Sequence, residues 1–158
     1  MDIQGAVAFV TGASGGLGAC IAKALARSGV NVALGYRRGA DRAAELCREI
    51  EAQGGAALTV PIEQSEPASI EAAISQVTSQ FGGLDLLINN AGMATGGHDI
   101  APGDLAAFTP EIWDELMAVN MRGPYLLARA AAPHLRASLW GRIVNIGSTI
   151  GQGDWYAD

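Results

Sequence analysis

AVAFVTGASGGLG, residues 6–18, decides the fold. Its opening AVAFVT (6–11) is an apolar run closed by a threonine, as expected of a strand buried on both faces of a parallel sheet. The run passes directly into TGASGGLG (11–18). There Gly12, Gly16 and Gly18 are spaced to turn the backbone tightly, let it approach a phosphate and pack a helix on the strand. A helix opening at this point offers free N–H groups and the positive end of its dipole to a pyrophosphate. The Ser14 hydroxyl adds a donor. A glycine spacing alone is weak evidence. After a strand, before a helix and at the head of a βαβ series, it has the context that a dinucleotide site requires. A glycine turn without a ligand is the weaker reading, because it leaves N–H groups at the sheet edge unpaired.

Working outward, strand and helix patterns alternate along the chain. Residues 16–28 place Leu17, Ile21 and Leu25 on one helical face and stop at Gly29. NVALGY (31–36) reads as a second strand. Residues 40–53 form an amphipathic helix with Ala43, Leu46 and Ile50 inward, ended by Gly54 and Gly55. AALTVPI (56–62) is a third strand. Residues 67–81 are a helix carrying Ile70, Ile74, Val77 and Phe81, and LDLLIN (84–89) is a fourth strand. Residues 90–109 are a Gly/Pro/Asp-rich loop, long enough to shape an entrance to a site. Thr109 and Pro110 read as a helix cap and first residue. That helix runs to about 137, with a kink at Pro124. GRIVNIGS (141–148) is a fifth strand and its exit. This alternation predicts an α/β, Rossmann-like, doubly wound parallel sheet in the order 3-2-1-4-5, with right-handed crossovers. Residues 1–158 form one dinucleotide-binding domain.

Composition excludes other classes. Hydrophobic residues make up 49% and charged ones 16%, so the chain buries a core and is not disordered. A net charge of −6 with 10 basic residues argues against general nucleic-acid binding and against an anionic membrane surface. No apolar run reaches the roughly 18 residues of a membrane helix. The start, MDIQGAVAF, has neither a basic region nor a cleavage site of a signal peptide. Cys20 and Cys47 make neither a disulfide framework nor a metal site, so a reduced, cytoplasmic setting is expected.

TGASGGLG (11–18), NNAG (89–92), the asparagine of MAVN (Asn120) and GRIVNIGS (141–148) together resemble the short-chain dehydrogenase/reductase family in order and spacing. Within it the chain is most similar to the 3-oxoacyl-acyl-carrier-protein reductase type, through EPASIEAAI (66–74) and WDELMAVNMRGPYLLARAA (113–131). The resemblance implies NAD(P)(H)-dependent hydride transfer between a nicotinamide and the carbonyl or secondary alcohol of a small-molecule substrate, a 3-oxoacyl-type or similar ketone. It implies cofactor contacts at Gly12, Ser14, Gly16, Leu17, Gly18, Asn90, Ala91 and Gly92, with Asn89 structural. Ser148 stands where the family places a serine that hydrogen-bonds the carbonyl oxygen. Asn120 stands where it places an asparagine that orients a relay water. The family's Tyr-x-x-x-Lys pair is expected near position 161. Tyr156 is eight residues past Ser148 and has no residue 160 to pair with, and the single lysine, Lys23, lies on the first helix. The expectation is a chain truncated before the C-terminal strands and inactive alone. It is also expected to be poorly soluble, through an apolar edge at Ile143, Val144 and Ile146. The alternative is a non-catalytic NADP(H)-binding or regulatory protein. Oligomers are common in the family, so the full-length protein is expected to be a homo-oligomer.

Strand two ends Gly35-Tyr36-Arg37-Arg38. It offers no carboxylate for a ribose 2′-hydroxyl, and two arginines that suit a 2′-phosphate. NADP(H) is therefore expected over NAD(H), although Gly15 stands where NADP-dependent relatives often carry a basic residue. Glu63 and Gln64 follow strand three where the family commonly has Asp-Val, and Glu63 is expected to accept from the adenine amino group. Cys20, Trp113 and Met117 are expected in the core, His98 in solvent, and Trp155 at the substrate mouth.

Overall fold

A computed structural model describes residues 3–94, 98, 100, 101 and 104–148. Its elements in chain order are β1 (Val7–Val10), α1 (Gly16–Arg27), β2 (Asn31–Tyr36), α2 (Ala40–Ala52), β3 (Ala57–Pro61), α3 (Pro67–Phe81), β4 (Leu86–Asn89), α4 (Pro110–Met117), α5 (Gly123–Ala137) and β5 (Arg142–Asn145). The strands form one parallel sheet in the order β3-β2-β1-β4-β5. The expected doubly wound architecture is present.

Side chains of a strand alternate between faces, and β1 divides its burial accordingly. Val7 and Phe9 join the core under α3 and α5, with Ile70, Ile74, Val77, Leu127 and Ala131. Ala8 and Val10 join the core under α1 and α2, with Ala22, Leu46 and Ile50. All four residues of β1 are buried. All four residues of β5 are exposed, and Ile143, Val144 and Ile146 show 43%, 44% and 38% of their surface. Among the described residues no strand pairs with the outer side of β5, and these apolar side chains lie at that edge. Among the described residues no helix is long and apolar enough to cross a membrane.

Three burial expectations fail. Leu17 is 56% exposed and Cys20 is exposed, because α1 meets the sheet through the small buried residues Gly18 and Ala22. Ile21 and Leu25 pack only at the rim of that core. Trp113 is 53% exposed and meets Phe108 edge-on, with ring centroids 6.4 Å apart.

The helix expected over 110–137 is not one α-helix. A π turn, Ala118–Arg122, joins α4 to α5. In that turn the Gly123 N–H bonds to the Ala118 carbonyl. Pro124 has no N–H to offer the Val119 carbonyl in the wider register. Gln64, from the loop after β3, supplies the donor through Nε2 at 3.3 Å. The break is thus an inserted residue secured from outside the helix. Pro133, further on, sits inside α5 without ending it.

Candidate cofactor site

A cavity of about 520 Å³ opens at the C-terminal ends of β1, β2, β3 and β4. This is where strand order reverses and where open α/β sheets bind ligands. Each strand contributes the residues that follow it. Gly12 and Ser14 come after β1, Arg37 and Arg38 after β2, and Glu63 and Gln64 after β3. Asn90, Ala91 and Gly92 come after β4. Arg42, Ile62, Met93, Ala94 and Val119 complete the wall in places the sequence reading did not single out.

Thr11 ties the β1 and β4 sides together. Its buried hydroxyl accepts from the N–H groups of Asn90 at 3.1 Å and Ala91 at 3.0 Å. Asn90 returns a bond from Nδ2 to the Thr11 carbonyl at 2.8 Å. The two turns are so close that neither Gly12 nor Gly18 has room for a side chain. A Cβ on Gly12, whose φ is +68°, would lie 2.9 Å from Ala91 Cα; one on Gly18 would lie 2.3 Å from the Gly12 carbonyl oxygen. Gly18 is therefore buried beneath the site, while Gly16 and Leu17 stand exposed at the mouth of α1, outside the cavity wall.

On the adenosine side, Arg37 Nε lies 2.5 Å from Glu63 Oε2. The other oxygen of Glu63 accepts from Ser65 N–H at 3.3 Å and Ser65 Oγ at 3.0 Å. Glu63 thus faces Arg37, a pairing that the sequence reading did not foresee. Arg42, in the first turn of α2, was also missed.

Asn120 lies behind the cavity at the π turn. Its Oδ1 accepts from Met93 N–H at 2.9 Å and its Nδ2 donates to the Met93 carbonyl at 2.7 Å. These two bonds hold the loop after β4 and leave the amide one further lone pair and one further N–H. Asn89 donates to the Asn145 side chain at 2.8 Å, joining β4 to β5. Ser148 is exposed three residues beyond β5 and is not part of the cavity wall. Trp155 and Tyr156 lie outside the described residues. His98 stays exposed, 3.4 Å from Glu115. Burial, reinforced by Glu51, pushes the Cys47 thiol above its usual pKa, which makes it a poor nucleophile.

The sequence profile of the short chain dehydrogenase family matches residues 6–157. A D-beta-hydroxybutyrate dehydrogenase of Cupriavidus necator is 39% identical over 153 residues, covering 94% of this chain and 55% of that protein. A 3-oxoacyl-[acyl-carrier-protein] reductase of Staphylococcus aureus is 33% identical over 144 residues, covering 91% of this chain and 56% of that protein. The crystal structure of a short chain dehydrogenase from Burkholderia cenocepacia, in complex with NADP, superposes with a TM-score of 0.86 at 38% identity. It covers 98% of this chain and 60% of that one. The chain spans about half the length of the curated relatives it matches.

Proposed function

The chain belongs to the short chain dehydrogenase family, and on that premise we propose that its cavity holds the adenosine and pyrophosphate half of NADP(H) in preference to NAD(H). The protein carrying it reduces the carbonyl of a small molecule. One observation carries the reading: a cavity of ligand size at the switch point of the sheet, with backbone turns on one side and arginines on the other. The volume and the donor set both fit the adenosine end of a dinucleotide.

In this reading Gly12, Ser14 and the N-terminal amides of α1 at Gly16, Leu17 and Gly18 hold the pyrophosphate. Arg37 and Arg38 receive the 2′-phosphate. Asn90, Ala91 and Gly92 wall the ribose, and Glu63 borders the adenosine. When bound, the nicotinamide supplies hydride exchange with a carbonyl carbon. Ser148 donates a hydrogen bond to the carbonyl oxygen. Asn120, held to the loop after β4 through Met93, orients a water in the proton relay. The names of the two relatives, a hydroxybutyrate dehydrogenase and a 3-oxoacyl reductase, support a 3-oxo or 3-hydroxy acyl substrate class. A homo-oligomer is the expected state of the intact protein, to be read by sedimentation velocity.

Fluorescence titration with NADPH and NADH tests the cofactor. The expected result is NADPH binding tighter by about tenfold or more, with Arg37→Ala/Arg38→Ala closing the gap. Equal affinities in the unaltered protein refute the preference. Binding of neither removes the reading altogether.

A further inference from the structure

The three arginines around the cavity are not equivalent. Arg37 is already paired, with Glu63. Glu63 is itself anchored: its carboxylate accepts from Ser65, and its N–H donates to Ser69 Oγ at 2.9 Å. The loop it sits on is held from the far side, where Arg122 donates to the Ser65 carbonyl at 3.0 Å. The carboxylate is therefore a fixed charge in the wall. Among the described residues neither Arg38 nor Arg42 forms an ion pair, and both line the same cavity. The chain is acidic overall, with 10 basic residues, and three of them surround this one space. Such a concentration suits an anion of more than one charge.

We propose, on the dinucleotide reading above, that Glu63 sets how strongly the pocket prefers a 2′-phosphate, by acting as the resident counter-ion of Arg37, and that Arg42 is the third arm of the phosphate cradle. Arg38 and Arg42 meet the phosphate with unpaired charge. Arg37 joins them only by loosening its hold on Glu63, and the carboxylate repels the incoming phosphate. A ligand with a free 2′-hydroxyl leaves the Arg37–Glu63 pair untouched. Glu63 thus narrows the gap between the two ligands. The pair is half-exposed, so the effect is moderate.

Calorimetric titration of the intact protein with adenosine 2′,5′-bisphosphate and with 5′-AMP isolates the 2′-phosphate, because the probes differ in nothing else. Glu63→Gln keeps an acceptor for Ser65 and removes the charge. The variant is expected to bind the bisphosphate about fivefold more tightly, with 5′-AMP within about twofold of the parent. Arg42→Ala is expected to weaken the bisphosphate about fivefold and leave 5′-AMP unchanged. A Glu63→Gln protein that binds both probes like the parent overturns the counter-ion role, as does one that loses affinity for both. Unchanged bisphosphate binding in Arg42→Ala removes the third arm. If the parent discriminates between the probes while both variants match it, this inference falls and the dinucleotide reading stands. If the parent binds neither probe, the dinucleotide reading falls and takes this inference with it.

Discussion

Leu87 in β4 and Ile143 in β5 are register partners on neighbouring parallel strands. Leu87 is fully buried and Ile143 is 43% exposed. Both come from short apolar runs, and nothing in the runs themselves separates them. Their neighbours do. β4 lies between β1 and β5, with Leu87 in the core beneath α3 and α5, whereas among the described residues β5 is paired along one side only. Apolar character marks a strand; its rank in the sheet decides its burial. The candidate site divides in the same way. Gly12, Asn90 and Ala91 stand on the central strands and are cross-braced through Thr11. Ser148 follows the exposed strand. The proposed cofactor pocket is therefore braced into the centre of the sheet, while Ser148 follows the outermost described strand.

The contrast is open to measurement by chemical denaturation. Leu87→Ala should cost about 2–5 kcal/mol, from lost burial plus the cavity it leaves. Gly18→Ala tests whether the rigidity of the centre extends into the site. Its new Cβ meets a backbone oxygen at 2.3 Å, and a loss of about 3 kcal/mol, with weakened dinucleotide binding, is expected. A Gly18→Ala protein as stable as its parent would mean that the two turns are not locked together. Thr109→Ala asks whether an exposed residue matters once it has a directional bond. Thr109 caps α4 by accepting from the Ile112 N–H at 3.5 Å, and about 0.5–1 kcal/mol should go with it. The Thr109 hydroxyl also holds the Glu111 carboxyl below its ordinary pKa. That support is present above the unfolded pKa and fades as pH falls through the folded one. In Thr109→Ala an NMR titration should find Glu111 moved back up. Ile143→Ala should change stability least, by under about 1 kcal/mol, while reducing association of the chain through its edge. A cost equal to that of Leu87→Ala would erase the distinction on which the comparison rests.

Strand order and the helix layers were legible in the sequence because they follow from local periodicity and from the short right-handed links between strands. The glycine turn was legible because close backbone approach leaves few residue types acceptable, and NNAG (89–92) was legible only through its resemblance to the family. What escaped the sequence depends on pairs far apart in the chain. Glu63 reads as an acceptor for the adenine amino group until Arg37, on another loop, is seen beside it. Leu17 and Cys20 read as buried because a helical wheel does not show that α1 approaches the sheet through Gly18 and Ala22. Pro124 drew attention as a kink, and the actual event, an extra residue in the turn before it, involves Gln64 from 55 positions away.

That extra residue has a consequence for phase. The buried positions from α4 into α5 are Leu116, Val119, Gly123, Leu127, Ala131 and Leu135. After the first step every interval is four, and on an unbroken α-helix such a series drifts around the axis by about 100° from end to end. The wider π turn offsets about one residue's 100° of that rotation, so that the two ends of the series, Leu116 and Leu135, return to the same side. A one-residue deletion within 118–122 would therefore act as a rotation. It would swing α4 about a quarter-turn against α5 and carry Asn120 away from Met93, with every other residue unchanged.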